Sequence, residues 1–490
     1  MKPFRRWRVL AAAMPSLPGA AAAHSFTQPY TLPVPFAMYA WGAAIALVLS
    51  FVIVGLFASV PSLARLGHAE GITPQGREQP GRRWRLARAS SLGLLLLCIA
   101  SGLVGVQNPY ANFNMTFFWI VFVLGVPYAV ALVGDFYAVL NPWKVLVQCV
   151  ASLSRLRFEG VRPYPQRLGY YPALVLYMAF IWVELFGRFG PRGLSLALLT
   201  YTLVNLAGAW VFGQRSWFRH AEFFSVFLRL VGKMSPWARP WDPDESPSAV
   251  PRRRWRAPFS GLFEECADHP SLVLFILFML SSTAFDGLHG TLPWVAVFWK
   301  GIYPAIAPLL PAPPGQVYAV STQAYYVWQW LSLFLSPLAY LVVFVAFIAL
   351  ARRLTHAVHD VGTLVLRFTY ALVPIAFVYN VTHYYTLLLA QGGQIVRLVS
   401  DPFGWGWNLF GTARWRFEPW VVDVEAIWHT QVALILLGHI VSVYVAHMEA
   451  LKLFGSSRRA AMSQLPILVL MVLFTTSGLW ILSLPLSPTG

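Results

Sequence analysis

The sequence predicts an all-α fold, a polytopic bundle of about ten transmembrane helices with both termini outside. Three observations predict it. Of 490 residues, 58% are hydrophobic and only 11% are charged, where an ordinary soluble domain carries about 25% charged residues. With a mean hydropathy of +0.59, the apolar excess needs lipid as its solvent. Apolar runs long enough to cross a hydrocarbon core of about 30 Å recur along the whole chain. Finally, the positive residues gather on alternate connections between those runs.

Taken in order, residues 1–23 read as a secretory signal: a basic start through Arg8, a short apolar stretch from Val9 to Ala20, and Ala21-Ala22-Ala23 as the cleavage site. Cleavage would leave His24 as the new N-terminus. Pro15 and Pro18 interrupt the apolar stretch, which keeps open an uncleaved arm lying on the membrane. Residues 24–490 form a single transmembrane helical domain. Its expected spans are 35–58, 89–107, 116–138, 170–188, 194–213, 270–288, 324–350, 362–390, 426–449 and 463–485. Counted on alternate connections, 25 Lys and Arg fall on one side and six on the other. The positive-inside rule then makes the richer side cytoplasmic. An Arg-rich, Lys-poor chain of this kind suits the bacterial inner membrane.

Two segments on the inner side, 142–156 and 216–231, mix bulky apolar residues with Arg and Lys, so they are expected to lie along the inner leaflet as interfacial helices. Residues 232–260, rich in Pro, Ser and Asp and including Arg252-Arg253-Arg254-Trp255-Arg256, read as a flexible basic cytoplasmic segment. Because the positives sit on these inner connections, the net charge of +17 records orientation and gives no warrant for nucleic acid. The partners implied are the lipid bilayer and a small lipophilic substrate or solute. The sequence leaves the oligomeric state open.

Ionisable residues inside spans are costly and mark sites. Glu184 ends the fourth span, Asp286 and His289 end the sixth, His383, Tyr384 and Tyr385 lie about two turns before the outer end of the eighth, and His429 begins the ninth. All fall in the outer third of the membrane. His and carboxylate groups drawn from several helices suit a divalent metal ion, its identity open between zinc and copper. The expected ligands are His383, His429 and His289, with His439 nearer the midplane and His24 joining through a terminal amine brace if the signal is cleaved. Asp286, Glu184 and Tyr384 are the expected catalytic groups. His429 and His439 are ten residues apart, a rise of about 15 Å, so one metal cannot take both of them together with His447. His447 is expected to hydrogen-bond Asp135 or Glu449. The loop Ser400-Asp401-Pro402-Phe403-Gly404-Trp405-Gly406-Trp407-Asn408 either lids this region or lies back on the membrane surface. No Gly-rich phosphate loop, GxSxG elbow or HExxH motif occurs.

Several short motifs occur in order: Leu32-Pro33-Val34-Pro35-Phe36, Gly134-Asp135 with Asn141-Pro142-Trp143, Phe285-Asp286-Gly287, His383-Tyr384 with Ser400-Asp401-Pro402, and Gly438-His439 with Ala446-His447. In these the chain resembles bacterial polytopic membrane proteins of the fenitrothion hydrolase family, from about His24 to the last span. The resemblance implies hydrolysis of organophosphate triesters in the cytoplasmic membrane. A metal at the outer cluster would supply an activated water for it. Two other readings stand beside this one: a permease for a small solute or metal ion, using polar residues at three depths, and a redox protein with haem held between His383 and His439.

Overall fold

A computed structural model describes residues 34–57, 81–154, 156–238, 254–310, 313–417 and 423–484. The expected signal, His24 and the middle of the basic segment lie outside the described residues. Ten helices are long and apolar enough to cross a membrane. They are α1 (Phe36–Phe57), α2 (Arg82–Val104), α3 (Phe113–Val133), α6 (Tyr171–Phe186), α7 (Pro191–Phe212), α11 (Pro270–His289), α13 (Val317–Thr355), α14 (Val361–Ser400), α15 (Val424–Phe454) and α16 (Ser457–Ser483). Between them lie the short helices α4 (Tyr137–Leu140), α5 (Pro142–Leu153), α8 (Gln214–His220), α9 (Phe223–Gly232) and α10 (Gly261–Glu264), and the α11–α13 connection opens with α12 (Leu292–Ala296). The end where α2 starts and α13 finishes carries Arg82, Arg83, Arg352 and Arg353; it is called here the basic end, and the opposite one the far end.

The spans differ in how much of them protein covers. Within its most apolar stretch α11 is 83% buried, whereas α1 is 11% buried. An apolar helix remote from lipid has to be held by neighbours on all sides, and α11 is the central post of the bundle, packed by α6, α13 and α14. Its start is fixed locally, with His269 as N-cap, its ring nitrogen accepting from the Ser271 amide at 3.2 Å, and Pro270 at the first helical position. The 40 residues of α14 are too many for one straight crossing. Three-residue-per-turn segments at Thr369–Leu372 and Gly392–Gln394 break it, and the piece between, Val373–Gln391, faces the core.

The two segments expected on the inner leaflet are instead re-entrant, and they are built to one plan. Span α3 ends at Gly134 (φ +92°) and span α7 at Gly213 (φ +82°). A side chain at position 134 would meet the Trp237 carbonyl oxygen at 2.3 Å, and one at 213 the Glu159 carbonyl oxygen at 2.7 Å. Only glycine makes these turns. After each turn a short helix, α4 or α8, doubles back into the bundle; a capping residue, Asn141 or Glu222, then starts a half-helix, α5 or α9, that runs out again. The depth follows from four contacts: the Trp143 indole donates to the Thr202 hydroxyl at 3.0 Å, the Tyr201 hydroxyl donates to Glu222, and the Phe122 ring lies 4.9 Å from Phe224 and 6.2 Å from Trp143. Residues 201 and 202 are the middle of α7, and Phe122 is near the middle of α3. Both half-helices therefore begin at mid-depth.

Their caps bond each other. Asn141 Oδ1 accepts from the amides of Trp143 (2.9 Å) and Lys144 (3.0 Å), and its Nδ2 donates to Glu222 Oε2 at 2.9 Å. Glu222 also accepts from the Phe224 and Ser225 amides and from the Ser225 hydroxyl. Amphipathicity predicted a polar face toward headgroups, but the polar groups here are satisfied inside the protein. Lys144 Nζ donates to the Ala138 carbonyl oxygen (3.1 Å), and Arg229 to that of Arg219 (2.8 Å).

The flexible segment expected at 232–260 is folded at both flanks. Trp237–Ala238 and Arg254–Trp255 pair as a two-residue antiparallel ladder. The Arg256 guanidinium is buried and donates to the carbonyl oxygens of Ser235 and Gly232, with Glu264 at 3.3 Å.

Candidate functional site

Asp286 sits one turn before the end of α11, its side chain 4% exposed. One of its oxygens, Oδ2, is shared by two groups from α14: the Tyr384 hydroxyl donates to it at 2.6 Å and His383 Nε2 lies at 2.8 Å. Neighbouring residues on a helix are about 100° apart, so both can reach one atom only when the partner helix comes close to the seam between them. A Cβ at Gly287 would meet Ile481 of α16 at 2.8 Å and His383 Cε1 at 3.7 Å. His289, three residues on, reaches the Asp286 carbonyl oxygen at 2.8 Å and the carboxylate only at 3.8 Å. Its ring stacks on Phe285 at 5.4 Å. Glu184, in the last turn of α6, lines the same cavity as Asp286 and Tyr384.

Five elements, α3, α6, α9, α11 and α14, enclose a cavity of about 40 Å³ beside this cluster. Its polar wall is made of Glu184, Ser282, Thr283, Asp286, Asn380 and Tyr384; Phe122, Phe180, Phe223 and Phe224 line the remainder. At about 10–15 Å³ of such space per molecule it has room for roughly three waters. The wall given by α3 is a π-helix, Thr116–Gly125, a form that is rare and found mostly at functional sites.

The structure therefore brings together Asp286, His383, Tyr384 and Glu184, with His289 at the edge. It does not bring in His429 or His439. Tyr385 donates to the Ile427 carbonyl oxygen at 3.1 Å and Gln431 to that of Thr382 at 2.9 Å, so residues 427 and 431 define the face of α15 turned to α14. His429 is about 200° from residue 427. It points the other way, its ring 6.2 Å from that of Tyr39 on α1 and its Nε2 3.5 Å from Glu425, with the side chain 52% exposed. His439 is buried about 12 Å further along α15 than Gln431, its Nδ1 held at 2.8 Å by the Ile435 carbonyl oxygen. His447 is buried with neither ring nitrogen partnered. Glu449 pairs instead with Arg367 and Lys452, and Asp135 accepts from the Ala138 amide.

As arranged, these donors do not fit the expected metal. Asp286 Oδ2 already accepts from two groups, His289 Nδ1 is turned to a backbone carbonyl, and among the described residues no three His, Cys, Asp or Glu side chains are placed to share an ion. The loop after Ser400 does not lie on the cavity. It pairs with the α2–α3 connection, through Val106 N to the Phe403 carbonyl oxygen (2.9 Å) and Phe113 N to that of Pro402 (3.2 Å), and its rings stack on one another.

Asn380, Ser282 and Thr283 were not singled out as site residues, and neither was the Asn141–Glu222 pair. A signal for that pair was present: a capping residue, then 10–12 mostly apolar residues, a length too short to span and typical of re-entrant segments. No family model, curated protein or solved structure matches the chain.

Proposed function

We propose that the chain is a proton-translocating membrane transporter, with Asp286, Glu184, Tyr384 and His383 as the centre that takes up protons at the far end. One observation carries the reading: two carboxylates from different spans, one of them accepting from the Tyr384 hydroxyl, stand on the wall of one cavity sized for a few waters. Carboxylates inside a span are retained against a desolvation cost of several kcal/mol when they serve a pathway. Cavity waters connect the pair with Asn380 and with the hydroxyls of Ser282 and Thr283. With the basic end cytoplasmic, as the distribution of positives expects, the centre faces the outside.

The test is proton flux. Purified protein in vesicles holding a trapped pH dye, energised by a valinomycin-clamped potassium gradient, is expected to take up protons faster than empty vesicles. Asp286→Asn should remove most of that uptake. Wild-type uptake equal to that of empty vesicles would refute the reading.

A second reading is favoured by the Asp286–His383 contact and by the resemblance to the fenitrothion hydrolase family. Asp286 fixes the imidazole with its proton on Nε2, leaving Nδ1 to accept a proton from water. That water would attack the phosphorus of a lipophilic triester, the P–O(aryl) bond would break and a phenolate would leave. His383 has the exposure for this, 21% of its side chain, whereas the cavity is too small for a triester. Hydrolysis of a nitrophenyl phosphotriester that persists in His383→Ala would remove this reading.

A further inference from the structure

We propose that the far-end loop 400–417 is a binding site for an anionic phospholipid, with Arg414 and Arg416 on the phosphate and Trp415 against the adjoining acyl chain. The inference is independent of the proton reading, because this loop stands apart from the cavity.

The loop is rigidly built. Ser400, the last residue of α14, holds it from within: its hydroxyl meets Thr412 Oγ1 at 2.7 Å and accepts from the amides of Phe410 (3.2 Å) and Thr412 (3.3 Å). The Thr412 hydroxyl donates to the Val396 carbonyl oxygen at 2.8 Å. Asp401 accepts from the amides of Trp405 (2.9 Å) and Gly406 (2.7 Å), and Asn408 Oδ1 from that of Ala413 (3.0 Å). These bonds fix what the loop presents, and what it presents is apolar. Trp405, Trp407, Leu409, Phe410 and Trp415 are 40–68% exposed. Exposed apolar patches rimmed by polar groups mark interaction surfaces, membranes among them.

Height and charge decide which surface this is. The loop is bonded to Val106, two residues past the end of α2, and to Phe113, the first residue of α3. It is therefore level with the ends of these spans, the depth of lipid headgroups, where tryptophan gathers. Charge narrows the occupant further. Six Lys and Arg fall on the far-end connections, and three of them, Arg397, Arg414 and Arg416, belong to this one. Arg397 is tied to the Tyr110 carbonyl oxygen at 3.0 Å. Arg414 and Arg416 are exposed and have no hydrogen-bond or ion-pair partner among the described residues. Asp401, the one acid in 400–417, has its carboxylate taken by two amides. Two unpaired guanidinium groups at headgroup depth complement a lipid phosphate of net negative charge, which they bind through paired N–H donors. Arg414 and Trp415 also share a shallow groove with Val396, Gly411 and Thr412. A phosphate on Arg414 thus places the chain that follows it against the indole and Val396.

Photo-crosslinking tests this on the full-length protein reconstituted in phosphatidylcholine vesicles that carry a trace of diazirine-bearing phosphatidylglycerol, with labelled peptides identified by mass spectrometry. Wild type should be labelled within 396–417. Unlabelled phosphatidylglycerol added during reconstitution should compete for that label, and an excess of glycerol phosphate should not. Arg414→Gln combined with Arg416→Gln should lower the label about thirtyfold, the scale of two lost arginine contacts with an anionic headgroup, while labelling at the basic end stays the same. Lysine at both positions should keep most of it. Equal labelling of 396–417 in wild type and the glutamine pair, or by a diazirine-bearing phosphatidylcholine, overturns the proposal. So does a lysine pair that loses the label as fully as the glutamine pair. Competition by glycerol phosphate would mean a site for soluble anions and would overturn the lipid as occupant.

Discussion

Asp286 and Glu222 are both carboxylates buried within the bundle, yet they are held in opposite ways. Glu222 is fully buried, and both oxygens accept from donors on three elements. Asp286 takes its two closest side-chain donors on a single oxygen, and the other faces His289 at 3.8 Å beside a cavity. A carboxylate held by helix caps away from any cavity welds helices together, whereas one on the wall of a cavity with room for water can exchange a proton with that water. The contrast teaches that burial alone does not mark function in this protein; a place on the wall of a cavity with room for water does.

Variants on either side should break that contrast in different currencies. The largest loss of stability is expected for Asn141→Leu, which removes the cap of α5 and a donor to a buried carboxylate. Unfolding in mild detergent should cost about 3 kcal/mol more than for wild type, from one cap and one charged hydrogen bond. A loss below about 1 kcal/mol would show that the junction is no weld. Next comes Gly287→Ala. Its new methyl meets Ile481 at 2.8 Å, so overpacking should cost about 1–3 kcal/mol in the same unfolding measurement. Tyr384→Phe should cost about 1 kcal/mol, yet remove most of the flux, because the hydroxyl between Asp286 and the cavity is gone. The smallest effect belongs to His429→Ala. On an exposed face turned to Glu425, it should stay within about 0.5 kcal/mol of wild type and leave flux unchanged.

Much of this was legible beforehand. The sixth span, expected at 270–288, is Pro270–His289, and the fourth and fifth lie within a few residues of their expected limits. Apolar length against the bilayer is a strong signal. The depth of Glu184, Asp286, His383 and Tyr384 was legible too, because each lies at a countable distance from a span's end. Azimuth was not. His429 shares their depth but faces α1, since packing of residues 427 and 431 on α14 sets the rotation of α15. The half-helices were misplaced for a related reason. Lys144 and Arg229 looked like headgroup contacts, but backbone carbonyls inside the protein satisfy them. Composition alone cannot separate a helix lying on a membrane from one tucked halfway into it.

The central claim is that the Asp286 cluster exchanges protons and the equally deep His429 does not. Proton uptake into energised vesicles, measured side by side for wild type, Asp286→Asn and His429→Ala, tests it most directly. The account predicts uptake in wild type and His429→Ala at the same rate, with Asp286→Asn near the level of empty vesicles. Equal uptake by all three proteins would contradict it.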